Sequence, residues 1–389
     1  MASNLLAVVS QYFPSQFSGF RYWENFEFYR IDKNILFFAV HKMNDYFPTE
    51  VHPLEHVKQY PVTDIFCVDL NHTLSLLDYP KKIPGKQNYG LSRFILDKNI
   101  SIHTTILPGG GFEENFKKQA IEGLKFLKEH PNVKNVFAVP AEVLKVIPKA
   151  YRMVNANTNT DFYKFAPRKK SSRLQLLFAA TCREEKGFRY MTKAFNELDP
   201  TKFHLHIVGM GDWKSKLKWI KHGNYTFHGA LPMHELRGVY NQCHIVVNPS
   251  YRGRVPIHEE FFINLGRLMP ILRSRTRFLP TRERYITLDG FPTVMCLDAM
   301  STGCCLVSTN PRHDYLALKP QEDYVEIAEK SSEEIISAVE SLYRNQDRML
   351  SIAKKGHQKM LDCFDTKKIV RFKYNIIKGE KSNTRVNVI

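Results

Sequence analysis

Two short stretches hold the residue types that chemistry would need. The first, "DGFPTVMCLDAMSTGCC" from Asp289 to Cys305, places one acid ahead of a Gly-Phe-Pro turn and a second, Asp298, inside an apolar segment. A half-buried acid is destabilising unless a cation or hydrogen-bond donors meet it. Asp298 therefore faces either solvent or a ligand rich in hydroxyl groups. The second stretch, "REEKGFRYMTKAFNEL", sets Arg183 and Lys186 directly ahead of Gly187 and a helical pattern. Cations beside the backbone N–H groups of a helix start form an anion site; the competing reading is a solvated, charged loop. No Asp-x-Asp pair occurs in the chain, so a metal held by paired acids has no obvious ligands.

The elements that must position these residues alternate along the chain. "LLAVVSQYF", "NILFFAV", "DIFCVDL", "ISIHTTI" and "NVFAVP" read as strands, with "WENFEFYRI" and "EENFKKQAIEGLKFLKEH" as helices between them. A polar seam at "APRKKSSR" follows, and the alternation restarts with "LQLLFAA", "YMTKAFNEL", "HLHIVGMG", "MHELRGVYNQ" and "HIVVNPS". Strand-helix alternation predicts parallel, doubly wound sheets, and 389 residues exceed one ordinary core. The expected architecture is α/β: two Rossmann-like domains with a cleft between them, 1–166 and 167–365. A C-terminal helix and tail, 366–389, pack across one of them, with Ile369, Phe372 and Ile376 on one face.

Composition narrows the partners. A hydrophobic fraction of 43% with 24% charged residues is that of a globular chain. No apolar run is long enough to span a bilayer. Seven scattered cysteines without a Cys-x-x-Cys pair argue for reduced thiols in a cytoplasmic setting, against a zinc site or disulfide scaffold. The net charge of +17 points to anionic partners: nucleic acid, nucleotide phosphates or an acidic membrane surface. The excess is uneven: Arg252 to Arg284, in the stretch 252–288, holds eight arginines, no lysine and three glutamates, and the tail from Lys354 onward holds ten Lys/Arg against three acids. Nucleic acid is disfavoured, because the aromatics do not interleave with the basic patches as a base-stacking surface requires.

Taken in order, four segments resemble one family. "EEKGFRYMTKAFNEL" is similar to the donor-phosphate loop and following helix of the retaining glycosyltransferases of GT-B fold, family four. "HIVGMGDWKSKL", with Gly209, resembles that family's second glycine turn. "FHGALPMHELRGVYNQCHIVVNPS" followed by "DGFPTVMCLDAMSTGCCLVSTN" resembles its nucleotide-sugar segment, and "VNANTNTDFYKF" its hinge peptide. The resemblance implies a nucleotide-diphosphate sugar as donor substrate, no cofactor and no metal. It gives Lys186 and Arg183 to the departing diphosphate, with Thr181 standing where relatives carry an arginine. Asp289 and the backbone of Gly290, Phe291 and Pro292 would meet the sugar, the N–H groups of Thr293 and Val294 the diphosphate, and Asp298 the ribose. The two acids are separated by eight residues where relatives have seven, and an arginine-rich insertion interrupts the segment between "NPS" and Asp289.

Weaker candidates lie in the first domain. His103 and His72 each follow or end a strand where a cleft residue would assist the acceptor hydroxyl or contact the sugar; the bland reading of each is a hydrogen-bonded structural residue. Gly19 follows the first strand, where this fold brings a loop towards the donor. "PGGGF" (Pro108 to Phe112) is either a close approach to a ligand or a flexible turn. The expected function is metal-independent, retaining transfer of a sugar to a glycan, protein-linked or lipid-linked acceptor, with peripheral membrane contact through the arginine stretch as a further expectation. The alternative is a catalytically decayed protein of the same fold that binds nucleic acid or membrane through its basic surface.

Overall fold

The computed structural model describes residues 5–12, 19–41, 47–81, 83, 86–109, 112, 117–256, 284–287 and 290–380. The apolar runs form two parallel sheets. The first contains β1 (Leu6–Tyr12), β2 (Leu36–His41), β3 (Val51–Pro53), β4 (Asp64–Val68), β5 (Ser101–Ile106), β6 (Val133–Ala138) and β7 (Tyr151–Arg152), in the order β3-β2-β1-β4-β5-β6-β7. The second contains β8 (Leu174–Ala179), β9 (Phe203–Val208), β10 (Tyr225–Gly229), β11 (Ile245–Asn248), β14 (Cys305–Ser308) and β15 (Val325–Glu326), in the order β10-β9-β8-β11-β14-β15. The remaining pair, β12 (Gly253–Pro256) and β13 (Arg284–Thr287), is an antiparallel stem that closes the arginine-rich insertion. Residues 257–283 of that insertion, including Arg273, Arg275 and Arg277, lie outside the described residues.

Strands covered on both faces read as unbroken apolar runs rather than alternating ones. In β8, Leu174, Leu176 and Phe178 pack on one face with Phe188, Met191 and Phe195, while Leu177 joins Leu236, Tyr240 and Leu297 on the other. Both sheets reverse their strand order once, between β1 and β4 and between β8 and β11. In open α/β sheets ligands bind outside the carboxyl ends of the strands at such reversals. The loops after β1 and β8 are therefore where a site should form.

Two stretches carry the chain between the sheets, and they bind each other. Thr158 donates its N–H to the carbonyl of Phe364 (2.9 Å) and accepts from the N–H of Thr366 (3.0 Å). Thr366 Oγ1 meets Asn157 Oδ1 at 2.8 Å, and Thr160 Oγ1 donates to Asp365 at 2.9 Å. Beyond this clip the helix Thr366–Ile377 packs on the first sheet's helix α1 (Phe20–Ile31), where a buried ion pair joins Lys373 to Glu24. Ile369, Phe372 and Ile377 fill the same apolar cluster as Phe28, Phe66 and Phe137. Beside Glu24, α1 also leans on the second sheet's core, with Trp23 against Phe162 at 4.9 Å between ring centroids.

Candidate functional site

The loop after β8 is shaped by glycines that no other residue could replace without moving the backbone. Gly187 has φ 77°, and a Cβ there would stand 2.0 Å from the carbonyl oxygen of Pro249 at the end of β11. Gly209, at the end of β9, would place a Cβ 1.6 Å from the carbonyl of Ala180. The two strand ends thus pack backbone to backbone, pinned by bonds from Ala180 N–H to Val208 (3.0 Å) and from Cys182 N–H to Met210 (2.8 Å). Gly187 starts the helix Phe188–Glu197, and Thr293 starts the helix Val294–Thr302; neither start carries a side-chain cap. Such starts present backbone N–H groups with partial positive charge.

These elements enclose a cavity of about 430 Å³. Gly19, Thr181, Gly209, Val294 and Asp298, each singled out from the sequence, all line it. Val294 and Asp298 stand four apart, one helical turn, and so share the face that looks into it. Gly19 supplies the far wall: a Cβ on it would come within 3.1 Å of Val294 and 3.9 Å of the Asp298 carboxylate. An extra side chain there would intrude into the cavity. Leu231, Met233 and Leu236 make another wall apolar, as a flat aromatic group such as a nucleobase requires.

Asp298 is 2% exposed. Its Oδ1 accepts a bond from Thr158 Oγ1 at 2.7 Å. Burial pushes its pKa up to about 7, against the smaller opposing effects of that bond and of Tyr163. Tyr163 and Tyr240 face it, and both are held protonated, first by burial and then by the Asp298 charge.

The two candidate cations belong to the turn after Thr181. Arg183 Nε lies 2.5 Å from the carboxylate of Glu185, which is itself buried. Lys186 ends the turn Glu184–Lys186 immediately ahead of Gly187. Neither Arg183 nor Lys186 lines the cavity. Tyr251 fastens this turn from the end of β11: its N–H bonds the carbonyl of Glu185 at 2.9 Å and its ring meets Tyr190 edge-on at 5.6 Å.

The acid-Gly-Phe-Pro stretch divides. Asp289 lies outside the described residues. Gly290 lines a second cavity, of about 300 Å³, together with Glu142, Arg152, Arg312, His313 and Asp314. Phe291 is buried, packing on Tyr324 at 4.9 Å between centroids. The carbonyl of Pro292 accepts from Asn155 Nδ2 at 2.7 Å. Thr293 turns its hydroxyl to Cys296 Sγ at 3.2 Å. Across the second cavity Arg152 pairs with Asp314 at 3.2 Å, joining the two sheets' loops.

His103 corrects the expectation of a cleft residue. It stands in the middle of β5 rather than at its carboxyl end, paired in register with Phe66. Both its ring nitrogens are engaged, Nε2 with Asp64 at 3.1 Å and Nδ1 with Asn135 at 2.9 Å. His72 is also buried, between Tyr89 (3.0 Å) and the carbonyl of Val9 (3.3 Å), and burial lowers its pKa to about 4. In "PGGGF", Gly110 and Gly111 lie outside the described residues. Among the described residues no group of three or more His, Cys, Asp or Glu is arranged to hold a metal ion. Nor is any helix among them long and apolar enough to cross a membrane.

Sequence reasoning missed Thr158, Tyr163 and Asn155, all on the crossing peptide. Their signal was the polar run "NANTNT" leading into "DFY", which was read as a connection and not searched for side chains facing the site.

Residues 173–263 match the family described as Glycosyl transferases group 1. No curated protein matches the chain. Among solved structures, HepE of Anabaena in complex with UDP and glucose superposes with a TM-score of 0.65 at 12% identity, covering 97% of this chain and 100% of that one. Sucrose-phosphate synthase from Thermosynechococcus elongatus gives 0.65 at 12% identity, over 97% and 99%. A glycosyltransferase from Rickettsia africae gives 0.58 at 11% identity, over 97% and 98%. At these identities the likeness is one of fold: two Rossmann-like sheets in the GT-B arrangement.

Proposed function

We propose that this chain, a group 1 glycosyltransferase through its residues 173–263, moves a sugar from a nucleoside-diphosphate donor to a hydroxyl-bearing acceptor. One observation carries the reading: loop ends from β8 and β9, the start of Val294–Thr302 and Gly19 converge on one cavity at the strand-order reversals. The base lies against the apolar wall and the ribose reaches Asp298. The diphosphate meets the starts of the helices at Gly187 and Thr293. HepE is bound to UDP-glucose in one structure and to UDP with glucose in another, which makes a uridine donor the first to try.

Breaking the sugar–phosphate bond leaves a negative charge on the diphosphate. In this reading Lys186 and the helix-start N–H groups stabilise it, assisted by Arg183, with no metal required. Asp289 and the backbone at Gly290 hold the transferred sugar and retain its anomeric configuration. The cavity beyond Gly290, where two carboxylates, two guanidinium groups and His313 line the walls, receives the acceptor. It can bond hydroxyl groups as donors and as acceptors.

The test is donor turnover. The protein is incubated with UDP-, GDP- and ADP-linked sugars in EDTA, with and without neutral, lipid-linked and acidic glycan acceptors, and released nucleoside diphosphate is measured. Release from one donor class, enhanced by one acceptor, is expected; proton NMR of the product reads the anomeric configuration. No release from any donor would sink the reading. The Arg183–Glu185 pair and Thr181 favour the second reading, a donor site without turnover on a basic binding protein. That reading predicts nucleotide binding without release and retention on anionic vesicles.

A further inference from the structure

Asp298 meets the donor cavity from a helix of the second sheet, but its hydrogen bond comes from elsewhere. Thr158 belongs to the peptide that crosses between the sheets, and it is fully buried. Its main chain is held from both sides by the second crossing, at Phe364 and Thr366. Its hydroxyl, fixed by that clip, donates to Oδ1 of Asp298 at 2.7 Å. Oδ2 is the oxygen on the Gly19 side, towards the cavity. Thr158 therefore anchors one carboxylate oxygen and the other lies on the Gly19 side, while Tyr163 also acts on the carboxyl.

We propose that Thr158 is a positioning residue, which aims the Asp298 carboxylate at the donor's ribose and ties donor binding to the place where the chain crosses between the sheets. The inference rests on the donor reading of the cavity. It names a residue that touches no substrate and acts through Asp298.

The surroundings make the Thr158 bond consequential. Tyr163 on the crossing peptide and Tyr240 on Met233–Gln242 face the carboxyl. Arg237 acts on Tyr163. Burial raises the acid, and the Thr158 bond is the largest influence that lowers it. Without that bond the acid should stay protonated to higher pH. A protonated carboxyl offers the ribose hydroxyls one acceptor fewer.

The decisive comparison uses the full chain with Thr158→Val, Thr158→Ser and Asp298→Asn. Valine keeps the β-branched shape and the main-chain clip but removes the hydroxyl. UDP affinity is measured by calorimetry from pH 5.5 to 8.5, and the Asp298 carboxyl titration by carbon-13 NMR without nucleotide. The proposal expects Thr158→Val to weaken UDP about tenfold at neutral pH and to move both midpoints upwards by about one unit, with Thr158→Ser restoring them. Unchanged midpoints in Thr158→Val overturn it, as does a Thr158→Ser variant that behaves like Thr158→Val. If UDP binds Asp298→Asn as well as wild type, the ribose contact itself is wrong, and the proposal falls with it. The NMR titration then shows separately whether the Thr158 bond exists.

Discussion

Arg183 directly precedes the turn Glu184–Lys186, and it has a buried carboxylate as its partner. Arg183 is committed to Glu185, which is 2% exposed, so much of its charge is already balanced. Lys186→Ala should lower turnover about a hundredfold with little change in melting temperature, as expected for an interaction made in the transition state. Arg183→Ala should reverse that pattern. It leaves a buried carboxylate without its counter-ion, a penalty of about 3 kcal/mol, and should lower the melting temperature by several degrees. Steady-state kinetics and thermal melts on both variants separate the roles; equal kinetic losses would show that Arg183 turns to the phosphate. Asp298 predicts a pH dependence of opposite sign for binding and for folding. Its folded pKa, about 7, lies above the ordinary 3.8. It therefore contributes stability that is full below the unfolded value and is lost as pH rises through 7. If the donor's ribose bonds the ionised form, as proposed, donor binding should weaken as pH falls below 7, and Asp298→Asn should flatten that dependence.

At the scale of elements, the loop proposed to meet the donor depends on close backbone contact between Gly187 and Pro249 after β11. Gly187→Ala would force a Cβ into the Pro249 carbonyl at a positive φ. The loop should shift, abolishing detectable turnover while the rest of the sheet stays folded, as circular dichroism would show. The helix Thr366–Ile377 is a second dependency. Lys373→Met leaves Glu24 buried and unpaired, and should cost about 3 kcal/mol; the pair Glu24→Leu with Lys373→Met should recover most of it, measured by urea denaturation. The sequence made the sheets legible because strands covered on both faces are continuous apolar runs. It made the two glycine turns legible because only glycine tolerates such approach. It did not reveal His103's role, since a histidine in mid-strand and one at a strand end look alike until the register is known. Nor did it reveal Thr158 or Asn155, whose roles arise from a contact between two stretches far apart in the chain. The two acids are separated by eight residues rather than the seven of relatives, and Asp289 lies outside the described residues. Asp298 follows Val294 by one turn, and both line the cavity.

For the molecule as a whole, the charge of +17 and the fold make separate statements. In the proposed reading the cavity lined by Thr181, Val294 and Asp298 takes a nucleoside diphosphate, whereas the arginine stretch would attract an extended anion. Neutralising Arg273, Arg275 and Arg277 together should reduce sedimentation with vesicles containing acidic lipid and leave nucleotide affinity unchanged; loss of both would mean that the stretch serves the donor site. The central claim, a cavity that recognises a nucleoside diphosphate by shape and ribose rather than by bulk charge, is tested most directly by calorimetric titration of UDP in EDTA at 50 and 200 mM salt. The account predicts saturable one-to-one binding that weakens only a few-fold between those salts, and about tenfold weaker binding in Asp298→Asn. Absence of saturable binding would contradict it, as would an affinity that collapses by ~10³ with salt in the manner of a polyanion surface.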